Sequence, residues 1–264
     1  MPSSQLINRL NSLWTPLERA PRAAALVLGG LLALGLAPLY IWPACLPAFG
    51  GLYYLLTKAQ TKKQAFGLGW FFGLGYFLAG LWWIGNAFTA HAPQDWMVIL
   101  AAPAVVALCA YLALYSGLAA FATKTCNKQG QLGLLLFALF WTLTEGLRAT
   151  MIYGFPWNSV GYIFADSLPL MQLAAHTHVW GLTFVAVFCG AAFYRPAGMY
   201  ALKSLIILAL LFAYGTMRLE RLPQTFADDA PTVRLVQPNV KQAHKWQTDK
   251  RVAQIKTYMR LSNE

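Results

Sequence analysis

The chain has 264 residues, of which 58% are hydrophobic and only 11% charged, with a net charge of +11 and a mean hydropathy of +0.49. Soluble domains carry about 25% charged residues, so this composition places the chain in a lipid bilayer. The Lys and Arg side chains fall in loops between apolar runs rather than along one stripe, which excludes a nucleic-acid footprint.

The first 22 residues carry Arg9, Arg19 and Arg22. The apolar stretch after them leads into further spans, so this start is a cytoplasmic N-terminus and not a cleaved signal. Seven spans are expected, at 23–38, 43–57, 65–88, 96–122, 131–151, 169–193 and 198–216. The first two are short, with Pro38 and Pro43 marking the turn between them. The other five approach or exceed the ~20 residues that a bilayer requires. The fold class is thus a polytopic α-helical membrane protein over 23–217.

Loop charge sets an orientation. Arg9, Arg19, Arg22, Lys58, Lys62, Lys63, Lys124, Lys128 and Arg195 fall on one side, and Lys203 can snorkel to it. The opposite loops, 39–42, 89–95 and 152–168, contain no Lys or Arg. The N-terminus is therefore expected in the cytoplasm and everything after 217 outside. Trp42, Trp82, Trp83, Trp96 and Trp157 cluster near the outer boundary, either as an ordinary aromatic belt or as a face that handles lipid headgroups.

Residues 218–230 read as a polar linker. Residues 231–237 alternate and are rich in Val and Leu, which predicts a strand. Val252, Ile255, Met259 and Leu261 recur at near-helical spacing, which predicts an amphipathic helix over 248–262. One strand and one helix leave an open sheet edge and an uncovered helix face. The expectation is that 231–264 open a domain of which the chain holds only the beginning.

Several side chains stand out. Glu145 and Arg148 lie three apart on the fifth span, on one helix face. Ionisable groups at membrane depth are costly and usually paired, so the two form a structural ion pair or contact a polar substrate. His176 and His178 diverge by about 200° on a helix and do not suit one metal ion; a His bonded to a neighbouring helix is the better reading. No Cys spacing suggests zinc, and no metal or other cofactor is expected. Gly69 and Gly73 have the G-x-x-x-G spacing of close helix packing. The outer loop GFPWNSVGY at 154–162 joins turn formers Gly154 and Pro156 to the bulky Phe155 and Trp157. It is either a re-entrant anchor or a wall of a lipid-facing cavity. Lys245 and Trp246 follow the presumed strand, where Trp246 either packs in a core or caps an acyl pocket.

The chain resembles the bacterial apolipoprotein N-acyltransferases along nearly its whole length. The matching segments are APLYIWP at 37–43, GLGWFFGLGYFLAGLWW at 67–83, TEGLR at 144–148, GFPWNSVGY at 154–162, VWGLTF at 179–184 and VQPNVKQAHKW at 236–246. The resemblance implies an inner-membrane enzyme with a periplasmic nitrilase-like domain. It would move an acyl chain from a phospholipid donor to the N-terminal diacylglyceryl cysteine of an apolipoprotein acceptor. It would do so through an enzyme thioester, using a Glu-Lys-Cys triad. In the family these three lie beyond the KW motif, the Glu in a WPE sequence. This chain has no WPE and no cysteine after Cys189, so no catalytic residue is assigned in it and these 264 residues are expected to be inactive alone. Trp246 is carried over as a substrate-binding residue near the acyl pocket. His178 and Gly190 depart from the family, which often has Gly and Asn there. The alternative reading is a non-catalytic membrane scaffold or lipid-binding remnant. A transporter is disfavoured because the spans show no inverted repeat.

Overall fold

A computed structural model describes residues 12–91, 95–151, 154–221, 230–241, 244–245 and 247–263, with only the backbone described at 89–91 and 95–97. Among these residues the regular structure is helical and no strand is present. The chain divides into two compact units. The first runs to Trp83 and resumes over Val105–Arg221; the second takes Ile84–Ala104 and the C-terminal segment.

The longer helices of the first unit are α1 (Pro21–Ala33), α2 (Cys45–Lys58), α3 (Lys62–Leu81), α4 (Ala101–Cys126, which begins in the second unit), α5 (Gly130–Thr150), α6 (Ala174–Ala192) and α7 (Met199–Glu220). Among the described residues, five stretches are long and apolar enough to cross a membrane: Lys62–Phe88, Val98–Cys126, Gly130–Thr150, Ala174–Ala192 and Met199–Glu220. The other two helices, α1 and α2, have 13 and 14 residues.

Local chemistry explains the starts and stops. Pro occupies the first turn of α1, where a missing N–H costs nothing. The turn after α1 closes with Ile41 N–H donating to Leu34 O at 2.9 Å. Thr61 and Gln64 form a capping box on α3: Gln64 N–H donates to Thr61 Oγ1 at 3.1 Å, and Thr61 N–H to Gln64 Oε1 at 3.3 Å.

Packing follows the logic of helices in lipid, where small residues allow close approach and apolar faces turn outward. A Cβ on Gly29 would collide with the carbonyl of Phe72, and one on Gly75 with the carbonyl of Leu26, so α1 and α3 meet backbone to backbone. Gly69 and Gly73 bring α3 against α4: their Cβ atoms would lie 2.5 Å from Ser116 O and 2.6 Å from Ser116 Oγ. That is the close packing expected from their spacing. The core between α2, α3 and α5 is aromatic, with Phe49 and Trp141 ring centroids 5.0 Å apart at 88° and Phe72 and Trp141 5.6 Å apart at 90°. On α5 the exposed residues Leu132, Leu135, Leu139, Leu143 and Leu147 form one stripe, while Phe137, Trp141, Glu145 and Arg148 are buried on the opposite side. An apolar exposed face over a partly charged interior is the reverse of a soluble helix.

The sixth expected span, 169–193, is not one helix. A short helix, Leu168–Met171, precedes α6, and α6 is broken at His178, whose backbone is at φ 58° and ψ −176°. His176 and His178 therefore do not lie on one continuous helix, contrary to the spacing argument, because the backbone turns at His178 itself.

In the second unit, the short helix Asn86–His91 and a 3₁₀ turn at Asp95–Leu100 follow α3, and the side chain of Trp96 lies outside the described residues. The predicted strand at 231–237 is not formed: residues 230–241 carry no regular structure. A strand exists only through pairing, and no described segment offers it a partner edge. The predicted amphipathic helix is present as α8 (Arg251–Asn263), with Val252, Ile255 and Met259 all exposed. Arg234 Nη1 donates to Ser262 O at 2.7 Å, linking the irregular segment to the end of α8.

Candidate functional site

The best-defined polar constellation is built where α5 ends and the loop 154–164 begins. The last turns of α5 carry Glu145 and Arg148, 5% and 2% exposed, with Arg148 Nη2 3.5 Å from Glu145 Oε1. Arg148 Nη1 donates to Phe155 O at 2.6 Å and Trp157 O at 2.7 Å, and Nη2 to Asn158 O at 3.5 Å. The Phe155 N–H returns to Arg148 O at 2.9 Å. The Arg148 guanidinium also lies over the Phe77 ring, 5.2 Å from its centroid.

Glu145 holds the other half of the loop. Its Oε1 accepts from Val160 N–H at 2.9 Å and its Oε2 from Thr183 Oγ1 at 2.7 Å. Thr183 Oγ1 in turn accepts from Gly161 N–H at 2.9 Å. Tyr76 on α3 donates its hydroxyl to Asn158 O at 3.1 Å. Side chains from α3, α5 and α6 thus satisfy the irregular backbone at 155–158 and the first N–H groups of the 3₁₀ helix Val160–Phe164 that follows it. Such satisfaction is the condition for irregular backbone at membrane depth.

Two of the loop side chains, Phe155 and Trp157, point the other way, while Ser159 and Val160 are buried. Trp157 is 57% exposed, and its ring lies 5.1 Å from Phe155 at 89° and 6.4 Å from Trp83. Trp82 and Trp83 are exposed as well. The site therefore has a buried ionic interior and an exposed aromatic rim. Inside it, Asn158 Nδ2 is a buried side-chain donor with no partner among the described residues.

Glu145, Arg148, Phe155 and Trp157 are thus brought together around one loop. Thr183 and Tyr76 were not singled out from the sequence. Their signal was a hydroxyl inside an otherwise apolar span, within the quoted VWGLTF and GLGYFLAG segments. His176 bonds a neighbouring helix as expected, with its Nε2 2.5 Å from Tyr214 Oη and 3.4 Å from Arg218 Nη1 on α7. Trp246 lies outside the described residues, and Lys245 is described but exposed. No group of three or more His, Cys, Asp or Glu side chains suited to a metal exists among the described residues.

Apolar spanning helices, lipid-facing leucine stripes and a side-chain-clamped loop define a polytopic helical membrane protein. Residues 28–192 match the model of the apolipoprotein N-acyltransferase N-terminal domain, and the chain belongs to that family. It is similar to the apolipoprotein N-acyltransferase of Allorhizobium ampelinum, at 37% identity over 90% of this chain and 47% of the relative. It is also similar to those of Rhodopseudomonas palustris, at 31% over 90% and 47%, and Rickettsia prowazekii, at 32% over 90% and 48%. The chain spans about half the length of these curated relatives. The motif segments that carried the resemblance at 37–83, 144–162 and 179–184 all lie within the matched region.

Proposed function

We propose that this chain is the membrane part of an enzyme that transfers an acyl chain from a phospholipid to the N-terminal diacylglyceryl cysteine of apolipoproteins. The observation that carries the reading is the family match over residues 28–192, which encloses the whole clamped loop. The protein sits in the bacterial inner membrane with seven membrane helices, counting the short α1 and α2. Its N-terminus is cytoplasmic and residues 231–264 begin a periplasmic nitrilase-like domain after a linker at 218–230.

In this reading the membrane part supplies position rather than chemistry. Glu145 and Arg148 are structural, because their hydrogen-bonding capacity is directed to the loop. Phe155 and Trp157 are the lipid-facing residues, presenting aromatic surface where phospholipid headgroups meet acyl chains. Trp246 contacts the acyl pocket. The strand over 231–237 forms once further strands of the domain are there to pair with it. The nucleophile, base and oxyanion-stabilising Lys belong to that domain and are not among these 264 residues.

The test is an acyl-transfer assay in detergent with phosphatidylethanolamine and a diacylated lipoprotein, read by the mass of the lipoprotein. These 264 residues alone leave the mass unchanged. The same chain continued into a nitrilase-like domain with WPE, Lys and Cys adds one acyl group. Acylation by the 264 residues alone, or none by the continued chain, would overturn the reading.

A further inference from the structure

A second feature lies at the opposite end of α5 from the clamped loop, so about 30 Å away along that helix. There the ends of α2 and α4, the turn at 127–130, the segment after α6 and the start of α7 surround an open cleft of about 580 Å³. Its wall includes Lys58, Lys124, Lys128 and Arg195 and contains no Asp or Glu. Lys58 is paired with Glu18 at 3.1 Å. Among the described residues, Lys124, Lys128 and Arg195 have no carboxylate within salt-bridge distance. The cleft thus holds three uncompensated cations.

Its neutral donors are also unspent. Tyr53, Tyr194 and Tyr200 line it, and none of their hydroxyls has a hydrogen-bond partner among the described residues. Tyr53 is only 4% exposed, its ring held against Phe137 at 5.5 Å and Tyr194 at 5.2 Å, so its hydroxyl is placed and not free to wander. A pocket of this size, with converging cations and phenol donors, suits a phosphate group and its substituents.

We propose that this cleft binds the headgroup of an anionic glycerophospholipid resident at the basic end of the bundle. The surroundings favour a lipid over a soluble phosphate. The exposed apolar faces of α5 and α7 begin next to the cleft, at Leu132 just after Gly130 and at Leu202 just after Tyr200. A phosphate held by Lys124, Lys128 and Arg195 leaves its acyl chains lying on those faces, with no polar group forced into hydrocarbon. Basic pockets between membrane helices recognise anionic headgroups on these terms. The site is separate from the loop carrying Phe155 and Trp157, and it does not depend on the acyl-transfer reading.

The experiment is native mass spectrometry of the full-length protein extracted into mild detergent with added phosphatidylglycerol or phosphatidylcholine. The protein retains phosphatidylglycerol in preference to phosphatidylcholine. Lys124→Gln/Lys128→Gln/Arg195→Gln lowers the retained phosphatidylglycerol about tenfold or more, since each cation lost weakens attraction to the anionic group. Arg22→Gln/Lys62→Gln/Lys63→Gln, with the same charge loss outside the cleft, leaves retention unchanged. Tyr53→Phe, which keeps the ring packing, lowers retention about threefold, as expected for one hydrogen bond. Equal retention by the cleft variant and the unaltered protein, or an equal loss in the charge-matched control, would overturn the proposal. Binding of millimolar inorganic phosphate with no preference between the two lipids would assign the cleft to a soluble phosphate and overturn it as well.

Discussion

Glu145 and Arg148, one helical turn apart on α5 and 3.5 Å from each other, grip two successive halves of the same loop. Arg148 takes the carbonyls of Phe155 and Trp157, while Glu145 takes the N–H of Val160. The pair neutralises itself, and its remaining bonds satisfy loop carbonyls and the first N–H of the 3₁₀ helix Val160–Phe164. A buried ion pair is weak evidence of net stability, but removing one partner strands the other charge.

Either Glu145→Ala or Arg148→Ala is therefore expected to cost about 3–5 kcal/mol. The double variant is expected to cost less than the sum, because no lone charge remains buried. Thermal unfolding in detergent measures this. Amide exchange at Phe155–Gly161 should rise in all three, and additive losses with an unchanged loop would contradict the clamp.

His178 sits at φ 58° and ψ −176°, a region that essentially only glycine occupies without strain. Relief of that strain makes His178→Gly stabilising by about 1–3 kcal/mol. A Tm that rises in the glycine variant, and falls or stays level in His178→Ala, would bear this out; a fall in the glycine variant would refute it.

Gly75 of α3 meets the carbonyl of Leu26 on α1 with no room for a Cβ. Gly75→Leu is expected to push the helices apart and to destabilise by about 1–3 kcal/mol or more. Gly67, whose Cβ would meet nothing within 4 Å, is the control: Gly67→Leu is tolerated. Melting temperatures of the two variants compare them directly.

Glu18, in the 3₁₀ turn Thr15–Arg19, accepts from the Tyr54 hydroxyl and pairs with Lys58. The Tyr54 hydrogen bond first, and Lys58 second, hold its carboxyl below the ordinary value of 4.5. A depressed folded-state pKa means that this tether is fully present above about pH 4.5 and is lost as pH falls through the folded value. Protection of the amides at residues 15–19, measured relative to the intrinsic exchange rate at each pH, should fall on acidification below that point. Glu18→Gln should remove the pH step, and a step that survives in that variant would place its origin elsewhere.

The helical membrane class was legible because bilayer spans need long apolar runs, and α3, α4, α5 and α7 each have one. The packing role of Gly69 and Gly73 was legible for a related reason: small residues four apart mark a face where helices meet. The break at His178 was not. Nothing in AAHTHVW distinguishes a helical histidine from one at positive φ. Residues 231–237 read as a strand by alternation, yet alternation describes which faces side chains take and not whether a partner edge is present.

What the sequence by itself determined is the class, the asymmetry of charge between the two ends, and the placing of Glu145 and Arg148 on one helix face, all of which follow from local spacing and from the expense of polar groups in hydrocarbon. Only the tertiary structure decided where that pair spends its hydrogen bonds. Thr183 and Tyr76 join it from other helices, 38 residues away along the chain from Glu145 in the first case. Likewise Lys124, Lys128 and Arg195 become one cleft only when α2, α4, α5 and α7 converge. Such contacts depend on how helices approach in three dimensions, which no periodicity within a single helix encodes.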